Sequence, residues 1–301
     1  MLTRKNKLFI KKGLSLFSIV RGYNILVIVL AQYLTSIYIL APDRKLGHVL
    51  FDINLFMLVM ASSAAIAAGY IINNFYDSEK DLINRPRKSL LDRLVSQRTK
   101  LTTYFVLNFA SVFFASYVSF KAVLFFAIYI FGIWFYSHKL KRYPFVGNLT
   151  AAILSVIPFF AVFVYYKNFD TVIFVHATFL FLILSMREMV KDLENLKGDL
   201  VQNYKTIPVL FGVQTSKWLL TLLTVLTLVP IYLLLTRFEI GQMNYYFYLS
   251  IAGLLVFLAF LWRSDQKLHY IVLHTILKLI IVIGIISIVL INPDVLISQF
   301  S

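Results

Sequence analysis

The chain has 301 residues, 60% of them hydrophobic and 14% charged, with a mean hydropathy of +0.80; this excludes an ordinary soluble domain. It has no cysteine, which excludes a disulfide framework, a thiolate nucleophile and a Cys-bearing zinc site. The formal net charge of +15 admits nucleic acid as a partner only until its distribution is read.

A basic N-terminal arm over 1–14 leads into an apolar stretch at about 15–40. That stretch is too long for a signal-peptide core, so a retained first span is expected. Further apolar runs fall at about 51–74, 101–119, 121–138, 145–166, 169–187, 217–236, 244–262 and 268–291. Each is near the ~20 residues that cross a bilayer. The expected fold is all-α: a polytopic membrane protein of nine transmembrane helices in a bundle, one domain over 1–301. Two polar loops, at about 75–100 and 188–216, follow the second and sixth spans. Their spacing of four helices suggests a duplicated four-helix unit with a ninth helix appended. Pro158 and Pro230 fall inside spans, where each can bend a helix or shape a cavity.

With the N-terminus in the cytoplasm, that side receives the basic arm, the run from Lys80 to Lys100, Lys139, Lys141, Arg142, Lys191, Lys197, Lys205, Lys217, Arg263 and Lys267. The other side keeps only Arg44, Lys45, Lys121, Lys167 and Arg237. This positive-inside asymmetry sets the expected orientation in an inner (plasma) membrane, with both polar loops cytoplasmic. It also accounts for the net charge through the anionic inner leaflet, without nucleic acid.

Seven of the 14 acidic residues lie in two clusters after apolar spans: Asp77, Glu79 and Asp81, then Glu188, Asp192, Glu194 and Asp199. Asn73, Asp77 and Asp81 are spaced i, i+4, i+8; Glu188, Asp192, Asn195 and Asp199 run i, i+4, i+7, i+11, so each set forms one helical stripe. Either cluster alone reads equally well as a solvated helix end, where Glu–Lys pairs are worth a few tenths of a kcal/mol. Two on one side of the bundle, among Arg85, Arg87, Lys88, Lys191 and Lys205, favour a site for a hard divalent cation and a phosphorylated substrate.

The stretch from Asn73 through Asp77 and Asp81 to Ile83-Asn84-Arg85-Pro86 closely resembles the first aspartate-rich motif of the UbiA superfamily of intramembrane prenyltransferases. Arg187 to Asp199, followed by Tyr204-Lys205-Thr206-Ile207-Pro208 and Phe211-Gly212, resembles the second. Arg21 and Asn24 in the first span, Tyr136 to Arg142, and Gly147-Asn148 are weaker echoes. The resemblance covers the first six spans; the last three match by hydropathy only. It implies transfer of a prenyl group from an isoprenyl diphosphate to a membrane-embedded lipid acceptor inside a lipid-facing cavity. It further implies Mg²⁺ held on the diphosphate by Asp77, Asp81, Asp192 and Asp199. Asn73, Asn74 and Glu188 stand in or beside that shell, Asn24 among the substrate-binding residues, and Arg85, Lys191 and Lys205 at the phosphates. Asn74 and Asn195 stand where the family usually has Asp, removing a charge but keeping a carbonyl oxygen. No obligate protein partner is implied.

The pattern from Arg187 to Asp199 is similar to the branch that makes digeranylgeranylglyceryl phosphate from geranylgeranyl diphosphate and geranylgeranylglycerol phosphate. An aromatic acceptor, as in quinone synthesis, is the alternative. Lys139, Lys141 and Arg142 are candidates for an acceptor phosphate and equally for topology determinants. A transporter is the reading from another class; it calls for ionisable groups in mid-membrane, where Lys278 is the clearest and can simply snorkel. The five histidines form no metal-like pair, and His176 reads as a hydrogen-bonded packing residue.

Overall fold

The computed structural model describes residues 4–293, so residues 1–3 of the basic arm lie outside the described residues. The helices are α1 (Arg4–Ile19), α2 (Gly22–Thr35), α3 (Leu46–Leu50), α4 (Ile53–Tyr76), α5 (Ser78–Asn84), α6 (Pro86–Asp92), α7 (Gln97–Val118), α8 (Phe120–His138), α9 (Val146–Tyr166), α10 (Thr171–Val201), α11 (Ile207–Arg237), α12 (Asn244–Trp262) and α13 (Lys267–Ser287). Among the described residues there is no strand, and nine helical segments are long and apolar enough to cross a bilayer. The expected all-α, nine-span architecture is the one observed.

The first span starts later than hydropathy alone indicates. Arg21 takes a left-handed φ of 51°, and Gly22 follows because any Cβ there would run into the Phe17 ring. The chain turns at this point, and α1 packs on α6, its Ser15 hydroxyl donating to the Leu91 carbonyl at 2.8 Å. The third and fourth spans divide at Ser119, whose hydroxyl caps α8 by accepting from the Ala122 N–H at 3.1 Å.

Two helices sit at the centre. The middle of α4 carries Ala61, Ala64, Ala65, Ala68 and Gly69, and these small residues let α7 and α8 approach closely. The Ser111 hydroxyl donates to the Ala61 carbonyl at 2.8 Å, and a Cβ on Gly69 would press on Ile133. In the second half α10 packs against α9, α11 and α13. Thus the second and sixth spans, those that lead into the acidic clusters, are the hubs. Within α9, Pro158 has no N–H, so the Leu154 carbonyl lacks its helical donor. Tyr129 of α8 supplies one at 3.1 Å, and buried Gln32 of α2 donates to the Pro158 carbonyl at 2.9 Å.

Both expected polar loops need correction, because they are largely helical. Over 188–216, α10 runs on to Val201, residues 202–206 link, and α11 begins with Pro208 in its first turn. Hydropathy falls after residue 187 because this part of α10 carries a polar face. That face turns inward, so Leu193, Glu194, Asn195, Gly198 and Asp199 are all buried. A helix with a buried polar stripe does not end where its hydrophobicity does. Over 75–100 the chain forms α5 and α6, divided at Pro86, which cannot extend α5 and is preorganised for the first turn of α6.

Candidate active site

At the end of α4 the helix relaxes for one residue, Asp77, before α5 resumes. Backbone bonds from Asp77 N to Asn73 O (2.9 Å) and from Asp81 N to Asp77 O (2.8 Å) carry the i, i+4 spacing across the junction. Asp77 is 6% exposed; its Oδ1 accepts from Lys141 Nζ at 2.7 Å and from the Tyr204 hydroxyl at 3.2 Å, with Lys80 Nζ 3.8 Å away. Burial alone would raise this carboxyl; the ammonium groups of Lys141 and Lys80 outweigh it and hold Asp77 down at about 2. Lys141 also donates to Asn73 Oδ1 at 3.2 Å. The carboxylate of half-buried Asp81 makes no hydrogen bond or ion pair among the described residues, and burial, then the charge of Asp77, push it up.

The second cluster meets the first through Lys80. Its ammonium lies 3.0 Å from Asp199 Oδ1 on α10, so one cation serves a carboxylate from each segment. Burial works against that charge, but Asp77 and Asp199 hold Lys80 above the ordinary lysine range. Asp199 is fully buried, with the Thr206 hydroxyl donating to its Oδ2 at 3.4 Å. Asp192 accepts from Asn148 Nδ2 at 2.7 Å, and Glu188 pairs with Lys191. Asn84 clamps the two segments together: its Nδ2 donates to the Asn195 carbonyl at 3.2 Å and its Oδ1 accepts from the Gly198 N–H at 3.1 Å. The clamp requires glycine at 198, since a Cβ would overlap the Asn84 amide.

A cavity of about 370 Å³ lies inside the bundle and reaches the acidic segments at Asn73, Glu188 and Lys191. Asn73, Tyr136, Ser137, Glu188 and Lys191 form its polar end; Ile66, Phe159, Phe163, Leu180, Phe247 and Ile285 are among its apolar walls. His176 lines it as a packing residue, with Nδ1 bonded to the Val172 carbonyl at 2.8 Å.

Of the residues singled out from sequence, Asn73, Asp77, Asp81, Glu188, Lys191, Asp192 and Asp199 stand on the two segments that Lys80 joins. Asn24 lines the cavity and donates to the Tyr70 hydroxyl at 3.3 Å. Three lie elsewhere. Asn74 points into a buried network, donating to Asp92 at 2.9 Å and accepting from Lys100 at 2.9 Å. Arg85 pairs with Glu194 at 2.9 Å, outside the main cavity. Lys205 is exposed, and its backbone N–H donates to the Arg142 carbonyl at 2.8 Å. Lys141 is committed to Asp77, and the Arg142 guanidinium lies over the Tyr204 ring at 5.4 Å. Sequence reasoning passed over Lys80 and Asn84. Lys80 carried a signal, three residues after Asp77 on one helical face; Asn84 stood only within the Ile83-Asn84-Arg85-Pro86 stretch of the first motif, with no role of its own.

Among the described residues no three carboxylate or histidine side chains converge tightly enough to hold a metal alone. The donors are nonetheless hard oxygens, and Asn195 Oδ1 is buried without a hydrogen-bond partner on the same stripe as Asp192 and Asp199. Such a set fits Mg²⁺, which takes few protein carboxylates and completes its octahedron with water and phosphate. Lys80 and Lys141 supply the positive charge between the carboxylates.

The family model described as the UbiA prenyltransferase family matches residues 25–273. A digeranylgeranylglyceryl phosphate synthase of Methanobrevibacter smithii is 29% identical over 265 residues, covering 83% of this chain and 87% of that one. One of Thermococcus gammatolerans is 31% identical over 181 residues, covering 60% of this chain and 64% of that protein. In fold, the chain is similar to a solved structure from work on digeranylgeranylglyceryl phosphate synthase in membranes, with TM-score 0.71, 20% identity and coverage of 93% and 98%. It is also similar to a UbiA homolog from Archaeoglobus fulgidus bound to GPP and Mg²⁺, with TM-score 0.65, 17% identity and coverage of 91% and 99%. The match extends from the first span into α13, and on that footing the chain is a membrane-embedded enzyme belonging to the UbiA prenyltransferase family.

Proposed function

We propose that the protein transfers a geranylgeranyl group from its diphosphate to the free hydroxyl of geranylgeranylglycerol phosphate, with Mg²⁺, at the cytoplasmic face of the membrane. The observation that carries this reading is the meeting of the two acidic segments through Lys80, with Asn73 of one segment and Glu188 and Lys191 of the other forming the polar end of an apolar cavity. A prenyl diphosphate has that shape: a polyanion joined to a hydrocarbon chain. The named relatives from Methanobrevibacter and Thermococcus support the choice of acceptor.

Asp77, Asp81, Asp192 and Asp199, with Asn73 and Asn195 as neutral oxygens, would hold Mg²⁺, which when bound neutralises charge on the diphosphate as the C–O bond breaks. Lys80, Lys141 and Lys191 set the positive field in which the phosphate oxygens sit. Asn148 orients Asp192, Tyr204 orients Asp77, and the Asn84–Gly198 clamp keeps the two segments in register. The apolar walls hold the prenyl chain and exclude water, so the acceptor hydroxyl rather than water attacks C1, forming an ether and releasing diphosphate and a proton.

The test is prenyl transfer by purified protein with Mg²⁺ and radiolabelled geranylgeranyl diphosphate, offering geranylgeranylglycerol phosphate and an aromatic acid as competing acceptors. The expected product is the Mg²⁺-dependent ether lipid, lost in Asp192→Ala. An aromatic product would move the enzyme to quinone chemistry, and activity retained in Asp192→Ala would remove the metal assignment.

A further inference from the structure

A second cavity, of about 480 Å³, lies beside the main one, between the end of α1, the start of α2, the α5–α6 junction, α10 and α13. Asn73, Glu188 and Lys191, the polar end of the main cavity, do not line it. Its walls carry Arg21, Arg85, Lys88, Arg187, Lys267 and Lys278, with His274, against one carboxylate, Glu194. That carboxylate is already taken by Arg85 at 2.9 Å and by His274 Nδ1 at 3.2 Å, while Lys88 pairs with Asp92.

The other four cations have no carboxylate partner among the described residues. Arg187 Nε donates to His274 Nε2 at 3.0 Å, Lys267 donates to the Asn84 carbonyl, Arg21 stands 5.0 Å from the Tyr70 ring centre, and Lys278 stands 4.5 Å from that of Tyr23. Lys278 lies eleven residues into α13, roughly 16 Å along the axis at 1.5 Å per residue. Unpaired cations at such depth are costly, and they mark a binding path. Lys267, Ile271, His274 and Lys278 follow i, i+4, i+7, i+11, one stripe that continues into Ile281, Val282 and Ile285 of the main cavity. This face is cationic near the helix start and apolar beyond, the pattern of an anionic amphiphile. Arg21, Asn24, Arg187 and Lys278 line both cavities, so an anion in the second one would have its neighbouring atoms at the edge of the first.

We propose that this vestibule is the headgroup site of the acceptor, binding the phosphomonoester of a prenyl-glyceryl lipid through Lys267, Lys278, Arg187 and Arg21 while the chain and free hydroxyl reach the main cavity. The proposal rests on the lipid-acceptor reading above. It separates two phosphorylated substrates: the donor diphosphate belongs at the acidic cluster, the acceptor phosphate at the carboxylate-poor vestibule. One more anion therefore does not compete for the metal site.

The full chain in phosphatidylcholine nanodiscs is the material for the test. Binding of geranylgeranylglycerol phosphate is measured without Mg²⁺ or donor, against the dephosphorylated lipid, inorganic phosphate and 4-hydroxybenzoate. Wild type should prefer the phosphorylated lipid by about tenfold or more, ~1.4 kcal/mol per decade. K267Q/K278Q should lose that preference, K278R should keep it, and Mg²⁺-dependent binding of geranylgeranyl diphosphate should stay within about twofold, which also reports an intact fold. No preference in wild type, an undiminished preference in K267Q/K278Q, or an equal loss of donor binding would each overturn the proposal. Binding of inorganic phosphate as tight as the lipid would assign the vestibule to a free anion, and displacement by 4-hydroxybenzoate alone to an aromatic acid; both outcomes overturn it. Transfer assays separate the two readings. Phospholipid binding without transfer would sink the proposed reaction and leave the site, whereas transfer with an unchanged acceptor KM in K267Q/K278Q would sink the site and leave the reaction.

Discussion

Replacing Lys80 by Met tests whether the acidic cluster is a cation site with a built-in counter-ion. Among the described residues the Lys80 ammonium is the only cation paired with Asp199, whose side chain is 1% exposed, and it stands 3.8 Å from Asp77. Asp77 keeps Lys141 at 2.7 Å when Lys80 is lost, but Asp199 keeps only the Thr206 hydroxyl at 3.4 Å. The loss therefore falls on one buried carboxylate rather than two. Stranding a single buried charge costs about 3–5 kcal/mol, and the methionine stem retains most of the packing. In EDTA, K80M should unfold some 6–10 °C below wild type, taking about 2 °C per kcal/mol for a chain of this size. Mg²⁺ brings its own positive charge, so Mg²⁺ with a prenyl diphosphate should raise K80M by more than it raises wild type and narrow the gap. Thermal melts in detergent, with and without Mg²⁺ and donor, read both effects. Equal melting of the two proteins in EDTA would refute the idea that Lys80 balances Asp199. A gap unchanged by Mg²⁺ would refute the idea that a metal takes over that balance.

Three further outcomes are expected. Gly198→Ala should break the Asn84 clamp and lower turnover by about tenfold or more, as sub-ångström misplacement of reacting groups does, with partial recovery in Gly198→Ala/Asn84→Ala; full activity of the single variant in a steady-state assay would contradict the clamp. Tyr129→Phe leaves the Leu154 carbonyl opposite Pro158 without a donor and should cost about 0.6–1.7 kcal/mol, the range for interhelical bonds in membranes; an unchanged denaturation midpoint would mean another group takes its place. Asp77 has its pKa lowered from 3.8 to about 2, so the folded state binds this proton less readily than the unfolded one; its stabilisation is full above pH 3.8 and drains away as pH falls through 2. Acid unfolding curves of wild type and Asp77→Asn should therefore converge below pH 4, and a constant separation down to pH 2 would contradict the assignment.

Much of the site is readable before any coordinates. Asn73, Asp77 and Asp81 and the stripe from Glu188 to Asp199 repeat at helical spacing, and periodicity alone assigns each set to one face. The same rule puts Lys80 with Asp77, so that residue was within reach. Asn74 was not. It neighbours Asn73 but points about 100° away around the helix, into Asp92 and Lys100, and its alliance depends on where α6 and α7 pack. Arg85 and Lys205 were drawn to the phosphates by charge, but a long cation goes to whichever carboxylate or solvent its backbone faces. For Arg85 that is Glu194, and Lys205 lies exposed.

The sequence by itself determined the solvent and the chemistry. Apolar runs near the bilayer thickness required spanning helices, and carboxylates gathered just beyond two of them required a cation. Only the tertiary structure decided which charges share a partner. Lys141 reaches Asp77 across 64 positions of chain and Asn84 reaches Gly198 across 114, separations over which local patterning carries no information. The basic vestibule is of the same kind. Arg21, Arg187, Lys267 and Lys278 are scattered cations along the chain, and they become one wall only when α2, α10 and α13 pack side by side.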